Sequence, residues 1–293
     1  MKVDVECAPC LLHRGQREIV EATSDKALQF RAMTTLTRLL NKDFKPTAVP
    51  ARLGTKRDRL VRAVTGNADP YARKKWASNQ HALEILPQVK RLVAQEKSVE
   101  DRFRKACLCA IVGNIIEFDI LEHEFKFEDI SRLLSQAQQD LAVDEISKIL
   151  DVARKAEEIL YLTDNAGEIA FDTLLVAQLK KFGARVIVAV KGRPVLNDAT
   201  LQDAKAVGMQ EIADDVISNG TDAVGLVLKD CSKRFAALYR SADLVVAKGM
   251  GYAETLTETK LTVPHALLLR TKCSPVARFF GTVRDKNVAK LLV

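Results

Sequence analysis

Apolar residues recur three and four positions apart through the first half of this chain, and gather into short unbroken runs through the second half. The first pattern predicts helix after helix from Leu11 to about residue 150. Leu11, Leu12, Ile19 and Val20 share one helical face. Ser24 or Asp25 caps a segment running to about Leu40, and Pro46 and Pro50 punctuate the loop after it. Asp69-Pro70 opens a helix that carries Trp76, Leu83, Ile85 and Leu86; Pro87 interrupts it, and a further helix continues towards Val93. Phe103 to Ile116 is apolar enough for a buried helix, with Gly113-Asn114 inside it or at its end. A buried Asn114 needs partners, so it either pins a neighbouring loop or faces a site. His123, following Glu117 and Asp119, reads as a surface or internally satisfied side chain.

Beyond Leu150 the runs alternate with helical stretches, which predicts a doubly wound parallel sheet. Ile159 to Leu162 is too short for a helix, and Gly167 and a helical pattern to about Phe182 follow it, with Gly183 as the stop. Val186 to Val190, Val216-Ile217, Leu244 to Ala247 and Ala266 to Leu269 are the other four strands. Each leads into a polar cluster: Asp164-Asn165 after the first, Lys191 to Asp198, Ser218 to Asp222, Lys248 to Tyr252, and Arg270 to Cys273. Five parallel strands would bring all five clusters to one sheet edge, where open α/β sheets bind ligands. Asp164 beside Asn165 offers hard oxygen ligands suited to Mg²⁺ or Mn²⁺; alternatively Asp164 is only a helix N-cap. Lys248 and Lys272 could neutralise a phosphoryl group, and the turn at Ser218, Asn219 and Gly220 could offer it backbone N–H groups.

Composition narrows the setting. With 47% hydrophobic and 28% charged residues the chain is globular. No apolar run is long enough to span a bilayer and the start lacks a signal peptide's apolar centre, so a cytoplasmic protein is expected. Net charge is +7. Residues 1–105 hold 22 Lys or Arg against 12 Asp or Glu, a net of +10, which leaves 23 against 26, a net of −3, for the rest. That front half is either a solvated helical face or an attraction for nucleic acid or an anionic substrate; aromatic interleaving and nucleic-acid motifs are lacking. The six cysteines are too sparse for a disulfide scaffold. Cys7-Ala-Pro-Cys10 has zinc or redox spacing but no second pair, and packing at a helix start is the other reading.

Asp164-Asn-Ala-Gly-Glu168, Lys191-Gly, Asn197-Asp198, Asn219-Gly220, Lys248-Gly249 and Arg270-Thr-Lys-Cys273 together resemble the damage-control metal-dependent phosphatases, first described as domain of unknown function 89. Cys7-x-x-Cys10, Asp69-Pro-Tyr71 with Lys75 and Asn79, and Gly113-Asn114 resemble the helical portion of the stand-alone prokaryotic branch, so the likeness spans nearly the whole chain. Glu117 departs from the pattern, which more often has Asp there, and is given no ligand role. The resemblance implies an N-terminal all-helical domain (residues 1–150) packed on a three-layer α/β/α Rossmann-like domain (residues 151–293). It implies a divalent cation (Mn²⁺, Mg²⁺, Co²⁺ or Ni²⁺) on Asp164, Asn165 and Asp198, with the substrate phosphate near Asn114, Glu168, Ser218, Asn219, Gly220, Lys248, Gly249 and Lys272. It further implies hydrolysis of small phosphometabolites, such as damaged sugar phosphates or phosphopantetheine derivatives, by a metal-activated water or through an aspartyl-phosphate on Asp164. A Rossmann-like methyltransferase and a basic nucleic-acid-binding protein are the rival readings. The expected partner is a small phosphorylated metabolite, without membrane or nucleic acid; a homo-oligomer is left open.

Overall fold

A computed structural model describes the backbone of residues 1–119 and 127–293 and the side chains of residues 1–113 and 131–293. The side chains of Asn114, Glu117, Asp119 and His123, and with them the expectations for these residues, lie outside the described residues. Five helices come first: α1 (Cys7–Ala22), α2 (Lys26–Asp43), α3 (Pro50–Thr65), α4 (Ala72–Ala94) and α5 (Val99–Asp119). The local chemistry explains their starts. Asp25 accepts from the N–H groups of Ala27 and Leu28 ahead of α2, and Pro50 occupies the first turn of α3. Pro87 does not end a helix, contrary to expectation: α4 runs through it. Ile85, Val89 and Val93 are buried on either side of the proline, and their packing outweighs one lost backbone hydrogen bond.

The chain continues with α6 (Phe127–Gln139), β1 (Leu141–Asp144), α7 (Ile146–Ala153), β2 (Glu158–Leu162), α8 (Glu168–Lys180), β3 (Arg185–Val190), α9 (Leu201–Ala206) and β4 (Asp215–Ser218). It ends with α10 (Lys233–Ser241), β5 (Leu244–Lys248), α11 (Met250–Leu256), β6 (His265–Arg270), α12 (Ser274–Phe279) and β7 (Asn287–Leu292). All five expected strands are present as β2 to β6, and all pair in parallel. Two further strands extend the sheet: β7 runs antiparallel to β6, and β1 lies at the edge, parallel to β7. The sheet therefore begins at Leu141, upstream of the expected 150/151 boundary, and α7 straddles that boundary.

Strand order is β1-β7-β6-β5-β2-β3-β4. From β2 the chain steps outward to β3 and β4, then returns to β5 on the other side of β2 and steps outward again to β6. The direction of winding reverses between β2 and β5, and the crevice beyond their carboxyl ends is where such a sheet binds ligands.

Side chains alternate between two cores, as the period of a strand requires. Ile159, Tyr161, Val186, Val188 and Val246 face a layer that includes α4, α5 and α8, whereas Leu160, Leu162, Ile187, Ala189 and Val245 face α10, α11 and α12. The helices α1 to α3 have two small cores of their own, around Leu11, Leu36 and Leu53 and around Ile19, Ala32 and Val61. The buried Arg57–Glu18 pair (2.9 Å) lies on this trio. Salt bridges tie it to the sheet half: Arg59 and Arg62 on α3 reach Asp222, in the loop after β4, at 2.5 and 2.7 Å. Part of the front half's positive excess is thus matched by the sheet half. Among the described residues no helix is long and apolar enough to cross a membrane.

Candidate active site

Three backbone hydrogen bonds lace the turn after β2 to the end of β3 and the loop that follows it. Thr163 N–H donates to the Ala189 carbonyl at 3.2 Å, Ala199 N–H to that of Asp164 at 2.8 Å, and Ala166 N–H to that of Asn197 at 2.9 Å. Asn165 and Asp198 consequently form an antiparallel bridge. Two strand ends far apart in sequence thereby deliver Asp164, Asn165 and Asp198 to one crevice, with Gly249 and Lys272 from the ends of β5 and β6. The side-chain amide of Asn165 donates to Asp164 Oδ2 at 3.2 Å and to Glu168 Oε2 at 3.0 Å. Both amide hydrogens are spent on carboxylates, and the side-chain oxygen, Asn165 Oδ1, makes no hydrogen bond among the described residues.

The crevice is electrostatically unbalanced. Burial, then the neighbouring Glu168 and Asp198, push the Asp164 carboxyl well above the usual carboxylate range, and Lys272 and Lys248 only partly oppose this. Asp198 is pushed up to about 6, again chiefly by burial, against the pull of Lys191 at 3.5 Å. Like-charged groups crowded away from water disfavour their own ionisation. Gly249 makes the crowding sterically feasible: it sits at φ +84°, and a Cβ there would overlap the Asp164 carboxylate. Any side chain at 249 would be both strained and in collision.

Lys248 is placed otherwise than expected for a phosphate ligand. Its fully buried ammonium donates to Glu168 Oε1 (2.6 Å), Asp172 Oδ1 (2.7 Å) and the Ala110 carbonyl (2.6 Å). Its three donors are used, so none is left for a ligand. The reason is topological: the end of β5 lies beneath α5 and α8, and its last residue points into that layer. Glu168 lines the crevice, but its oxygens accept from Lys248 and Asn165. Asp172 accepts from Tyr161 Oη at 2.7 Å as well, and burial pushes its carboxyl up to about 6.

Ser218, Asn219 and Gly220 do not line the crevice, because β4 is an edge strand, separated from β5 by β2 and β3. Asn219 Oδ1 accepts from the N–H groups of Gly192 and Thr221, and Gly220 N–H donates to Ser218 Oγ at 3.0 Å. The Gly249 N–H likewise donates to the Leu268 carbonyl. The expected backbone donors are thus occupied, and their role is to brace loops.

Three residues without a role in the sequence reading contribute to the site. Lys191 is buried, donates to the carbonyls of Ala223 and Gly225 at 2.7 and 2.9 Å, and lies 4.8 Å from the Tyr252 ring centroid. Its signal in sequence was a cation ending an apolar run. Asn79 on α4 accepts from Gly167 N–H at 2.7 Å and donates to Asp203 at 2.9 Å, fastening the β2–α8 turn to the helical half. Arg14 on α1 closes the crevice from above; nothing local distinguished it from other exposed arginines. All six cysteines are free thiols, and Cys7, Cys10 and Cys273 line a neighbouring cavity. Among the described residues no three His, Cys, Asp or Glu side chains gather to hold a metal, so the crevice's donor set is two carboxylates and an amide oxygen.

Comparison with known proteins gives this arrangement its relatives. Residues 3–288 match the model of the damage-control phosphatase ARMT1-like domain. An uncharacterized protein of Methanocaldococcus jannaschii is 36% identical over 292 residues, covering 98% of this chain and 95% of its own. A damage-control phosphatase of Archaeoglobus fulgidus is 33% identical over 293 residues, covering both chains completely, and one of Pyrococcus horikoshii is 35% identical over 280 residues, covering 95% and 94%. The crystal structure of a DUF89 family protein from Pyrococcus horikoshii superposes with a TM-score of 0.86 at 33% identity, over 99% of this chain and 98% of that one. A match that runs through α1 to β7 takes in both walls of the crevice, and the chain belongs to the damage-control phosphatase ARMT1-like family.

Proposed function

We propose that this protein is a divalent-cation-dependent phosphatase acting on small phosphorylated metabolites. The observation that carries the reading is the meeting in one crevice of half-buried Asp164 and buried Asp198 beside an Asn165 side-chain oxygen with no hydrogen bond among the described residues. Such a crowd of oxygen donors is costly without a cation. Two carboxylates and an amide suit Mg²⁺ or Mn²⁺, which bind through few protein ligands and keep positions for water and phosphate oxygens; Co²⁺ and Ni²⁺ are the other candidates. Two relatives of similar length carry the name damage-control phosphatase, which supports the reaction class.

Asp164, Asn165 and Asp198 would hold the cation, which supplies charge neutralisation at the phosphoryl oxygens and a water of lowered pKa. The chain's other residues aim this set. Lys248 fixes Glu168, Glu168 fixes the Asn165 amide, and the amide's orientation presents its oxygen to the crevice. Lys191 steadies Asp198 on the other side. Lys272 and Arg14, from opposite walls, provide positive charge for the phosphoryl oxygens as charge moves towards the leaving group. A methyl-donor or dinucleotide cradle lacks support at the β2–α8 turn: Gly167 N–H is bonded to Asn79, and Ser78 fills the space beside its Cα. Phosphate release from an aryl phosphate by chelator-treated protein, with Mg²⁺, Mn²⁺, Co²⁺ and Ni²⁺ added in turn, tests the proposal. Turnover with at least one cation is expected; none with any of them would overturn it.

A further inference from the structure

The catalytic crevice encloses only about 100 Å³, room for a phosphoryl group but not for the metabolite that carries it. Two larger cavities adjoin it and share Arg14 and Leu196 with it. Leu196 divides them. It holds a left-handed φ of +48°, costly for a branched side chain, and its N–H is anchored to Asp58 on α3 at 3.1 Å.

The cavity between α1 and α4, about 350 Å³, opens beside Asn197, the neighbour of Asp198. Its cations outnumber its acids. Lys74 neutralises Glu21 at 2.6 Å and Arg57 neutralises Glu18, whereas Arg14 and Arg17, one turn apart on α1, make no hydrogen bond or ion pair among the described residues. The ring of Tyr71 supplies an amphipathic wall. The other cavity, about 360 Å³, sets two acids, Glu6 and Glu254, against its cations, so its positive excess is smaller.

We propose that the α1–α4 cavity is a second anion subsite, which selects phosphomonoesters carrying another phosphate or a carboxylate on the portion that is not hydrolysed. The inference rests on the phosphatase reading and specifies its substrate class. Guanidinium groups suit both ligands, since they match the planar fork of a carboxylate and the oxygens of a phosphate. Arg14 stands where crevice and cavity meet; Arg17 lines the cavity alone and is exposed, so it can be changed without touching the crevice or the fold.

The test compares matched pairs in the presence of the activating cation: fructose 6-phosphate against fructose 1,6-bisphosphate, and glucose 6-phosphate against 6-phosphogluconate. Calorimetric binding of the phosphonate analogues of the same compounds gives a readout independent of turnover. The member with two anionic groups should show at least about tenfold higher kcat/KM and tighter binding. Arg17→Gln should remove most of that preference through KM, and Arg17→Glu should abolish it, both leaving the members with one anionic group unchanged. Preference for the bisphosphate alone supports the subsite with phosphate as its ligand, and for 6-phosphogluconate alone with carboxylate. Equal kcat/KM and affinity within both pairs, or a preference that survives Arg17→Glu, overturns the subsite and leaves the phosphatase standing. No phosphate release from any of the four or from an aryl phosphate overturns both.

Discussion

The two walls of the crevice are built on opposite principles. On the sheet wall, Lys248, Glu168 and Asn165 are buried and bonded into one another, Lys191 is buried on the carbonyls of Ala223 and Gly225, and each of these amide and ammonium groups has a named acceptor. On the helical side, Arg14 at the crevice and Arg17 in the adjoining cavity are exposed and make no hydrogen bond or ion pair among the described residues, and α3 behind them is held to the sheet half by salt bridges at Asp222. A wall of interlocked dipoles keeps its geometry as charge moves, which favours chemistry; a wall of solvated cations adapts, which favours recognition. Substitutions on the sheet wall should therefore affect turnover and folding together, and those on the helical wall should affect binding or docking alone.

The largest effect is expected at Asp164 and Asp198. Asp164→Ala and Asp198→Ala should each leave less than about a tenth of wild-type turnover, a barrier increase above roughly 1.4 kcal/mol. Because burial and mutual repulsion disfavour both carboxylates, the cation-free variants should melt no lower than the cation-free wild type. A large loss of Tm in either would make these residues structural and erase the contrast.

Next comes Lys248→Met, which strands two carboxylates, Glu168 and Asp172, in the dry layer under α5. Removing one partner of a buried ionic cluster costs about 3–5 kcal/mol, to be read from urea unfolding. The double variant Lys248→Met/Asp172→Asn should recover part of the loss. Wild-type stability in the single variant would show that the ammonium is not the support proposed for Glu168.

Lys272→Met, at the junction of the walls, should keep the fold and cation affinity yet lose at least about tenfold in kcat/KM, equivalent to roughly 1.4 kcal/mol. Loss of cation binding would move Lys272 into the set that organises the ligands.

The smallest effect belongs to the helical wall. Asp222→Asn should cost about 1 kcal/mol, since its arginine partners are partly solvated. Burial opposes the charge of Asp222, but hydrogen bonds from Arg59 and Arg62 more than offset it and hold the carboxyl far below the usual range. A depressed folded pKa means that this stability is fully present above the unfolded value near 3.8, and is lost as pH falls from there towards the folded pKa. The wild type should thus lose its advantage over Asp222→Asn on acidification below about pH 4.

The same contrast decided what could be read from the residues alone. The sheet wall's strands announce themselves, because a strand buried on both faces is an unbroken apolar run, as Ile159–Leu162 and Leu244–Ala247 are. The two strands at the far end of the sheet do not: β1, at the edge, is half-exposed and short, and β7 beside it carries Lys290. Strand ends pointed to Asp164, Asn165 and Asp198, but side-chain direction was illegible there. Lys248 and Lys272 look alike as cations after apolar runs, and only the packing of α5 over β5 turns the first inward. Ser218 to Gly220 follow an apolar run just as Asp164 and Asp198 do, but strand order is invisible in sequence, and β4 lies at the edge. Arg14 and Arg17 were hidden among the front half's many exposed cations, since their distinction is the cavity they face.

On the proposed reading, the carboxylates of the sheet wall form a cation site on which phosphoryl chemistry depends. Manganese titration of chelator-treated protein, following bound Mn²⁺ by electron paramagnetic resonance and phosphate release on the same samples, tests it most directly. The wild type should bind one Mn²⁺ per chain and gain turnover in proportion to occupancy, while Asp198→Ala does neither. Full turnover by the chelated wild type, or Mn²⁺ binding undiminished in Asp198→Ala, would contradict it.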